Sequence, residues 1–557
     1  MIYPIPQKIT QTGSVKAEHF SVSIIAGACT ASNEWLARRG LASAAQGDIR
    51  ISLILDDSRR FSYIEESRCV TKEKYLLTAA QADGYVEVSI RAAGEPGFWH
   101  GLNTLAQQME NGEILLGEIA DYPLFAARGY IEGFYGEPWK PAQRLSVIDL
   151  MAKNKMNTYY HAPKDDPYHR DLWKELYPAQ ELADLTEFVA AAQKQYVTFY
   201  YCIAPGLSMR YASEEDYQAL FAKLMQIYDI GVRHFGLLLD DIPHDLQFAE
   251  DIARFGSETV TAHIYLGNRL LDDLKAHDRD IQMTLCPLQY HGKGDEYFIS
   301  KLGQGLDAEI SLFWTGHNIC SQELTSPEAM TFIRATRHKP LYWDNFPVND
   351  AEMYQEMHLG YLNGRDADLY RYSDGLISNC MEFCECSKIP LLTVADYLWN
   401  PPAYDGMASW ERALRVIAGD VFDDFRILAD HLLTSCLKVE NSPYMNKCLG
   451  GAAQAVRIGN PLDALGALGE YSERVGRCCE LMRTDKRPLF VELTRWAKKL
   501  EAAYEVLQNG LALLGDSDAE KAQTLKDSLA YYMRQPEVLT EFSLQSAAEE
   551  LLRIAGY

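Results

Sequence analysis

His234-Phe-Gly-Leu-Leu-Leu-Asp-Asp-Ile-Pro243 is an apolar run that ends in two adjacent aspartates and is stopped by a proline. The segment Phe235 to Leu239 is too short for a stable helix and reads as a strand buried on both faces. A carboxylate at the end of such a strand loses hydration, which is costly unless the group is paired or used. One aspartate there would also serve to cap the next helix. Two in succession, Asp240 and Asp241, point to chemistry.

The same pattern repeats on either side. From Arg128 onward, short apolar strands alternate with amphipathic helices. Eight strands are expected: Gly129 to Glu132, Asn157 to Ala162, Val197 to Ile203, Phe235 to Leu239, Gln282 to Cys286, Ile310 to Trp314, Leu341 to Trp343 and Gly375 to Ser378. Helical spacing fills the gaps, as in Arg144 to Lys153, Leu185 to Lys194 and Asp216 to Tyr228. Eight such units predict an α/β fold, a (β/α)₈ barrel of the TIM type over residues 123–410. In that architecture chemistry gathers at the C-terminal ends of the strands. Polar residues collect there: Glu132 and Gly133, Lys164 to Asp166, Asp240 and Asp241, Gln289 and Tyr290, Thr315, Asp344 and Asn345 with Asp350 behind them, and Asn379. Converging polar groups between aromatic walls suit a sugar, which offers hydroxyls at its rim and C–H faces for stacking.

Residues 1–122 read as a small α/β domain, with strands at Ile49 to Leu55 and Tyr85 to Ile90 and a helix at Phe98 to Met109. It combines no nucleophile, base and orienting group, and a supporting role is expected. Residues 411–557 read as a helical bundle that packs on the barrel or joins two copies as a homodimer. Helices are expected at Ser409 to Ile417, Asp424 to Leu437, Pro461 to Met482, Pro488 to Leu514 and Ala519 to Met533.

Composition narrows the partners. Of 557 residues, 53 are Lys or Arg and 78 are Asp or Glu, a net charge of −25. That sign opposes nucleic acid, anionic membranes and polyanionic substrates. No stretch approaches a membrane span, and the N-terminus lacks the basic start and apolar run of a signal peptide. A cytoplasmic protein is expected, with a secreted mature form as the alternative. The 12 cysteines form no regular framework, and Cys380, Cys384 and Cys386 lack the second pair of a zinc site. The 13 histidines include no His-x-His or His-Glu-x-x-His, and no Gly-x-Ser-x-Gly elbow or phosphate-binding loop occurs. No metal or cofactor is expected.

Paired carboxylates remain, and they suit glycoside hydrolysis. The ordinary retaining mechanism sets nucleophile and acid on separate strands, whereas neighbours on one strand point to opposite sides. Adjacent aspartates fit if only one transfers a proton and the other holds a different part of the substrate. Substrate-assisted catalysis divides the work in this way, because a 2-acetamido oxygen of the sugar is the nucleophile. Spacing alone leaves open which aspartate takes which task.

Six stretches, in order, resemble glycoside hydrolase family 84, the family of O-GlcNAcases and bacterial N-acetyl-β-glucosaminidases. They are Arg128-Gly-Tyr-Ile-Glu-Gly-Phe-Tyr-Gly-Glu-Pro-Trp139, Leu237-Leu-Leu-Asp-Asp-Ile242, Leu285-Cys-Pro-Leu-Gln-Tyr290, Phe313-Trp-Thr-Gly316, Tyr342-Trp-Asp-Asn-Phe-Pro-Val-Asn-Asp350 and Ile377-Ser-Asn379. The resemblance implies that Asp240 holds the acetamido N–H and steadies an oxazoline intermediate. It implies that Asp241 protonates the leaving oxygen and then activates water. Tyr290 would hydrogen-bond at the acetamido group, Asn345 would support that group or the aspartates, and Trp343 would wall the pocket. Gly133 through its backbone, Lys164, Asp350 and Asn379 would bind sugar hydroxyls, with Thr315 beside them. Asp344, Asn349 and Glu132 would stand behind these. Taken singly, Lys164 would also serve in a surface ion pair, Tyr290 and Trp343 in a core, Asn345 and Asn379 in turns, and Asp350 as a helix cap.

The implied activity is that of a retaining exo-β-N-acetylglucosaminidase acting on O-GlcNAc proteins, peptides or glycans. Alternatives are a hexosaminidase that also accepts GalNAc, a hyaluronidase-type activity, which the charge of −25 opposes, and a sugar-binding protein without catalysis.

Overall fold

Eight parallel strands close into a barrel in the computed structural model, which describes residues 2–44, 46–56, 72–458 and 461–557. Six further strands precede it. They are β1 (Lys8–Lys16), β2 (Val22–Ala26), β3 (Ile49–Leu55), β4 (Tyr75–Ala82), β5 (Tyr85–Ala92) and β6 (Glu113–Asp121), in the sheet order β1-β6-β4-β5-β3-β2. Alternation works as expected in β3, where Ile49, Ile51 and Leu53 are buried, and in β5, where Val86, Val88 and Ile90 are. Helix Glu95–Glu110 buries Phe98, Trp99, Leu102 and Leu105.

The barrel strands are β7 (Ala127–Glu132), β8 (Thr158–His161), β9 (Thr198–Ile203), β10 (His234–Leu238), β11 (Gln282–Cys286), β12 (Ile310–Trp314), β13 (Pro340–Asp344) and β14 (Gly375–Asn379). All eight coincide with the sequence expectations to within two residues. Ile377 of β14 pairs with Gly129 of β7, and that ladder closes the ring. The interior is filled by Ile131, Tyr160, Cys202, Leu238, Cys286, Phe313, Leu341, Trp343 and Ile377, one from each strand and two from β13. Full burial of each large apolar side chain stabilises by about 1.5–3 kcal/mol.

The six-stranded sheet is tied to the barrel by a buried polar cluster. Lys155 Nζ donates to Asp121 Oδ2 at 2.6 Å and to Tyr75 Oη at 3.0 Å, and Tyr75 Oη donates to the same Asp121 oxygen at 2.7 Å. Arg128, fully buried in β7, donates to Glu73 and to the carbonyls of Phe125 and Ala126. Burial opposes the charge on Glu73, but Arg128 and His100 outweigh it and hold the carboxyl at about 2.

The chain divides into two compact units: Met1–Asn345 with Arg365–Asn379 and Val394–Tyr404, and Phe346–Gly364 with Cys380–Thr393 and Asp405–Tyr557. The second is helical. Asp405 caps a helix at Gly406–Ala418 by accepting from Ala408 N–H. The helix expected over Asp424 to Leu437 runs only over Phe422–Asp430. Its last carboxylate turns to accept the backbone N–H groups of Tyr444 and Met445, which start the next helix, Pro443–Arg457. The single helix expected from Pro488 is two, Pro488–Glu492 and Thr494–Gly515, broken at Leu493. Helices at Pro443–Arg457 and Glu541–Ile554 were not expected. The eleven cysteines among the described residues form no disulfide. No helix among the described residues is long and apolar enough to cross a membrane.

Candidate active site

Leu238 belongs to the barrel interior, so Asp240, two residues on, inherits the inward face. It is buried, and its Oδ2 accepts a 2.6 Å hydrogen bond from Lys164 Nζ, which arrives from the end of β8. No protein group among the described residues satisfies its Oδ1. Asp241 does not simply face the other way. Its φ of 52° is left-handed, uncommon outside glycine. Strand alternation ends there, and its carboxylate lies 3.8 Å from the same ammonium. The expectation that neighbours diverge holds for an extended strand, and this backbone turn removes it.

Two hydroxyls reach Asp241. Tyr290 Oη, beyond β11, donates to Oδ1 at 3.1 Å, and Tyr135 Oη, beyond β7, donates to Oδ2 at 2.8 Å. Burial, and next the facing Asp241, hold the Tyr290 hydroxyl well above its ordinary pKa. Burial likewise raises Tyr135. Both therefore stay protonated donors. Thr315 lies directly behind Tyr290: its N–H donates to the Tyr290 carbonyl at 2.8 Å and its hydroxyl to Asn318 O at 2.8 Å. Cys286 lies in the same mouth, but burial pushes its thiol far up, so a thiolate nucleophile is not supplied.

The opposite wall is built around one oxygen. Asn345 Oδ1 accepts from Trp343 Nε1 and from Asn379 Nδ2, both at 2.9 Å, while Asn345 Nδ2 donates to Ile319 O at 2.9 Å. The indole is thereby fixed in plane and Asn379 is fixed in rotamer. Asn379 Oδ1 is buried and has no partner among the described residues. A Cβ on Gly133 would lie 2.6 Å from Trp343 Cζ2 and 3.2 Å from Asn379 Oδ1. Glycine is required there by the indole.

Behind this layer, Asp344 makes a bidentate pair with Arg365 at 2.9 and 2.6 Å. Glu132 takes a bidentate pair from Arg144 and single bonds from Trp139 N–H and Tyr159 Oη. Asp350 belongs to the second unit, where it precedes the 3₁₀ turn Ala351–Met353, and Asn349 there donates to Glu356 O. The structure thus brings together Asp240, Asp241, Lys164, Tyr290 and Thr315, and alongside them Gly133, Trp343, Asn345 and Asn379. Tyr135 and Arg170 join Asp241 without having been singled out. Tyr135 sits inside a quoted motif; Arg170 carries no sequence signal.

This arrangement offers two carboxylates on one ammonium, hydroxyl donors on the outer one, an aromatic wall, and two buried acceptors that no described residue meets. Buried acceptors are nearly always hydrogen-bonded, so an unmet pair at a strand mouth marks places for ligand donors.

Residues 128–430, more than half of the chain, match the family model for beta-N-acetylglucosaminidase. Protein O-GlcNAcase of Rattus norvegicus and that of Mus musculus are each 29% identical over 275 residues, 48% of this chain and 29% of the relative. The chain thus spans under a third of the length of these relatives. A mutant of the Thermobaculum terrenum O-GlcNAc hydrolase is 28% identical, with a TM-score of 0.72 over 77% of this chain and 95% of that one. CpGH84B, 24% identical, shares the fold with a TM-score of 0.81 over 99% of this chain and 100% of that one.

Proposed function

Since the chain belongs to the β-N-acetylglucosaminidase family, glycoside hydrolase family 84, we propose that it is a retaining exo-β-N-acetylglucosaminidase acting with substrate assistance. Its relatives are O-GlcNAcases by name, and O-GlcNAc on protein or peptide is the substrate proposed here, with terminal β-linked GlcNAc on glycans as the wider class.

The observation that carries the reading is the unmet Oδ1 of buried Asp240 beside its Lys164-bound Oδ2. An acetamido N–H donating to that oxygen satisfies it. It also aims the acetamido carbonyl oxygen at the anomeric carbon. That oxygen attacks as the glycosidic bond breaks, and the leaving oxygen takes a proton from Asp241. The product is a protonated oxazoline, an oxazolinium, whose N–H stays hydrogen-bonded to the Asp240 carboxylate. Asp241, now a carboxylate held by Tyr135 and Tyr290, takes a proton from water, which opens the oxazoline with net retention. Trp343 walls the acetamido methyl, and Asn379 Oδ1 and the Gly133 backbone take sugar hydroxyls. Lys164 is assigned to a hydroxyl as well. Thr315 we assign to the pocket through Tyr290, which it braces.

The test is a series of aryl N-acetylglucosaminides with progressively fluorinated acetamido groups. Each fluorine weakens the carbonyl nucleophile, so kcat/KM is expected to fall steeply. A flat series would remove the substrate-borne nucleophile.

A further inference from the structure

We infer that Arg170 is a positioning residue for proton transfer, because its guanidinium spans the Tyr135 hydroxyl and the backbone carbonyl of Asp241 and so decides which carboxyl oxygen exchanges the proton. The inference rests on Asp241 being the general acid and base proposed above.

Arg170 Nη1 donates to Tyr135 Oη at 2.9 Å, and Nη2 donates to Asp241 O at 3.1 Å. Tyr135 Oη in turn donates to Asp241 Oδ2 at 2.8 Å. The direction of this chain is fixed by chemistry. A guanidinium has donors only, so the tyrosine oxygen must accept from it. Its single proton is then left for Asp241. A hydroxyl that accepts from a cation becomes a stronger donor. Both carboxyl oxygens accept a tyrosine hydroxyl, Oδ2 from Tyr135 at 2.8 Å and Oδ1 from Tyr290 at 3.1 Å, but only Tyr135 is backed by the Arg170 cation; Oδ2 therefore carries the stronger bond, and proton exchange with substrate falls to Oδ1.

The second arm acts on the backbone. Asp241 holds a left-handed φ of 52°, and its carbonyl is the group that Arg170 grips. The arginine is itself anchored. His169 Nδ1 lies 2.9 Å from Cys202 O, and Ala204 N–H donates to His169 O at 3.0 Å, so its loop is stitched to β9. The arginine side chain thus links the residues beyond β7 and β10, while its loop is tied to β9 through His169. The groups that face the Asp241 carboxyl are Lys164, Asp240, Tyr135, Tyr290, Arg170 and the Cys286 thiol. Of the two cations, Lys164 is engaged by Asp240, which leaves Arg170 as the cation tied to Asp241 through hydrogen bonds.

The experiment compares Arg170→Met, Arg170→Lys, Tyr135→Phe and the Arg170→Met/Tyr135→Phe double variant. Each is assayed as kcat/KM against pH on aryl N-acetylglucosaminides with good and poor leaving groups. For Arg170→Met the expected loss is about 100-fold on poor leaving groups and under about tenfold on good ones. The basic limb of the pH profile should move to higher pH, because a cation beside the acid has been removed. Arg170→Lys, which keeps the charge, should return the limb toward its original position. The double variant should lose little more than Tyr135→Phe alone. Equal losses on both leaving groups with an unmoved limb, or fully additive losses, would overturn the inference. Turnover of the good leaving groups reports a folded protein in every variant. Asp241→Asn run alongside separates the two levels: an even response to leaving groups defeats the acid assignment and this inference with it. A steep response there with an even one in Arg170→Met defeats this inference alone.

Discussion

Lys164 Nζ donates to Asp240 Oδ2 at 2.6 Å with both side chains almost wholly buried, 3% and 7% exposed. Burial opposes the charge on the lysine, but Asp240, Tyr135 and Asp241 overcome it and raise its pKa above the ordinary value. Lys164→Met leaves Asp240 a buried carboxylate without a counter-charge. A loss of about 3 kcal/mol of stability is expected, with a fall of about 100-fold in kcat/KM. A lysine raised in the folded state contributes fully below its unfolded pKa of about 10.4 and loses that contribution only at higher pH. The stability gap between wild type and variant in urea should therefore stay level between about pH 7 and 9. A gap that closes across that range would contradict the pairing.

Gly133→Ala tests the fit of the glycine against the pinned indole. The added Cβ would sit 2.6 Å from Trp343 Cζ2, and the ring is held by its bond to Asn345, so it has little room to yield. Overpacking of this kind costs about 1–3 kcal/mol. A lower melting temperature and about a tenfold drop in kcat/KM are expected together. Wild-type values for both would mean that the ring moves freely.

Asn379→Leu separates stability from binding. Its Oδ1 is buried without a protein partner, a state that costs about 1–3 kcal/mol. Leucine, of similar shape, removes that cost but also the Nδ2 bond to Asn345 Oδ1, so urea unfolding should show stability within about 1 kcal/mol of wild type. The same change deletes the acceptor proposed for a sugar hydroxyl and should raise KM by about tenfold or more. Loss of stability with an unchanged KM would reverse the assignment.

Asp430 gives a pH signature in the helical unit. Burial raises its carboxyl to about 6, although the N–H groups of Tyr444 and Met445 pull the other way. The folded state therefore keeps a proton that the unfolded state, with a value near 3.9, releases. Stability from this residue is greatest below about pH 4 and falls until about pH 6, by an amount on the order of 2 kcal/mol. Asp430→Asn keeps an acceptor for the helix start and removes the titration. Urea midpoints at about pH 4 and 7 should show the wild type losing more than the variant; equal changes would exclude the linkage.

The barrel was legible because parallel strands buried on both faces write themselves as short apolar runs, and each polar residue just after a run lands at the mouth. Asp240, Lys164 and Tyr290 follow that rule; Trp343, inside its strand, was pointed to by the family resemblance. Tyr135 and Arg170 escaped it because their partner is Asp241, about a hundred and about seventy residues away in sequence; that meeting is tertiary and leaves no local pattern. The left-handed backbone at Asp241 is equally silent, since aspartate is ordinary in either conformation when read from sequence. In the N-terminal sheet, β1 reads Lys-Ile-Thr-Gln-Thr-Gly-Ser-Val-Lys and is largely exposed, so no apolar alternation announced it. The helix Pro443–Arg457 was hidden by Gly450 and Gly451 in its middle.

The turn at Asp241 also sets how the barrel is used. Two carboxyl groups with separate duties usually require two strands to hold them at the proper separation. Here the left-handed turn at Asp241 ends the strand alternation and brings the carboxylates of two consecutive residues to one ammonium, so a single strand end carries both. The other strand ends are then released from supplying a second acid. Substitutions there should retune which sugar or aglycone is accepted while leaving the proton chemistry intact, a division that makes the rim evolvable and the Asp240–Asp241 peptide rigidly constrained.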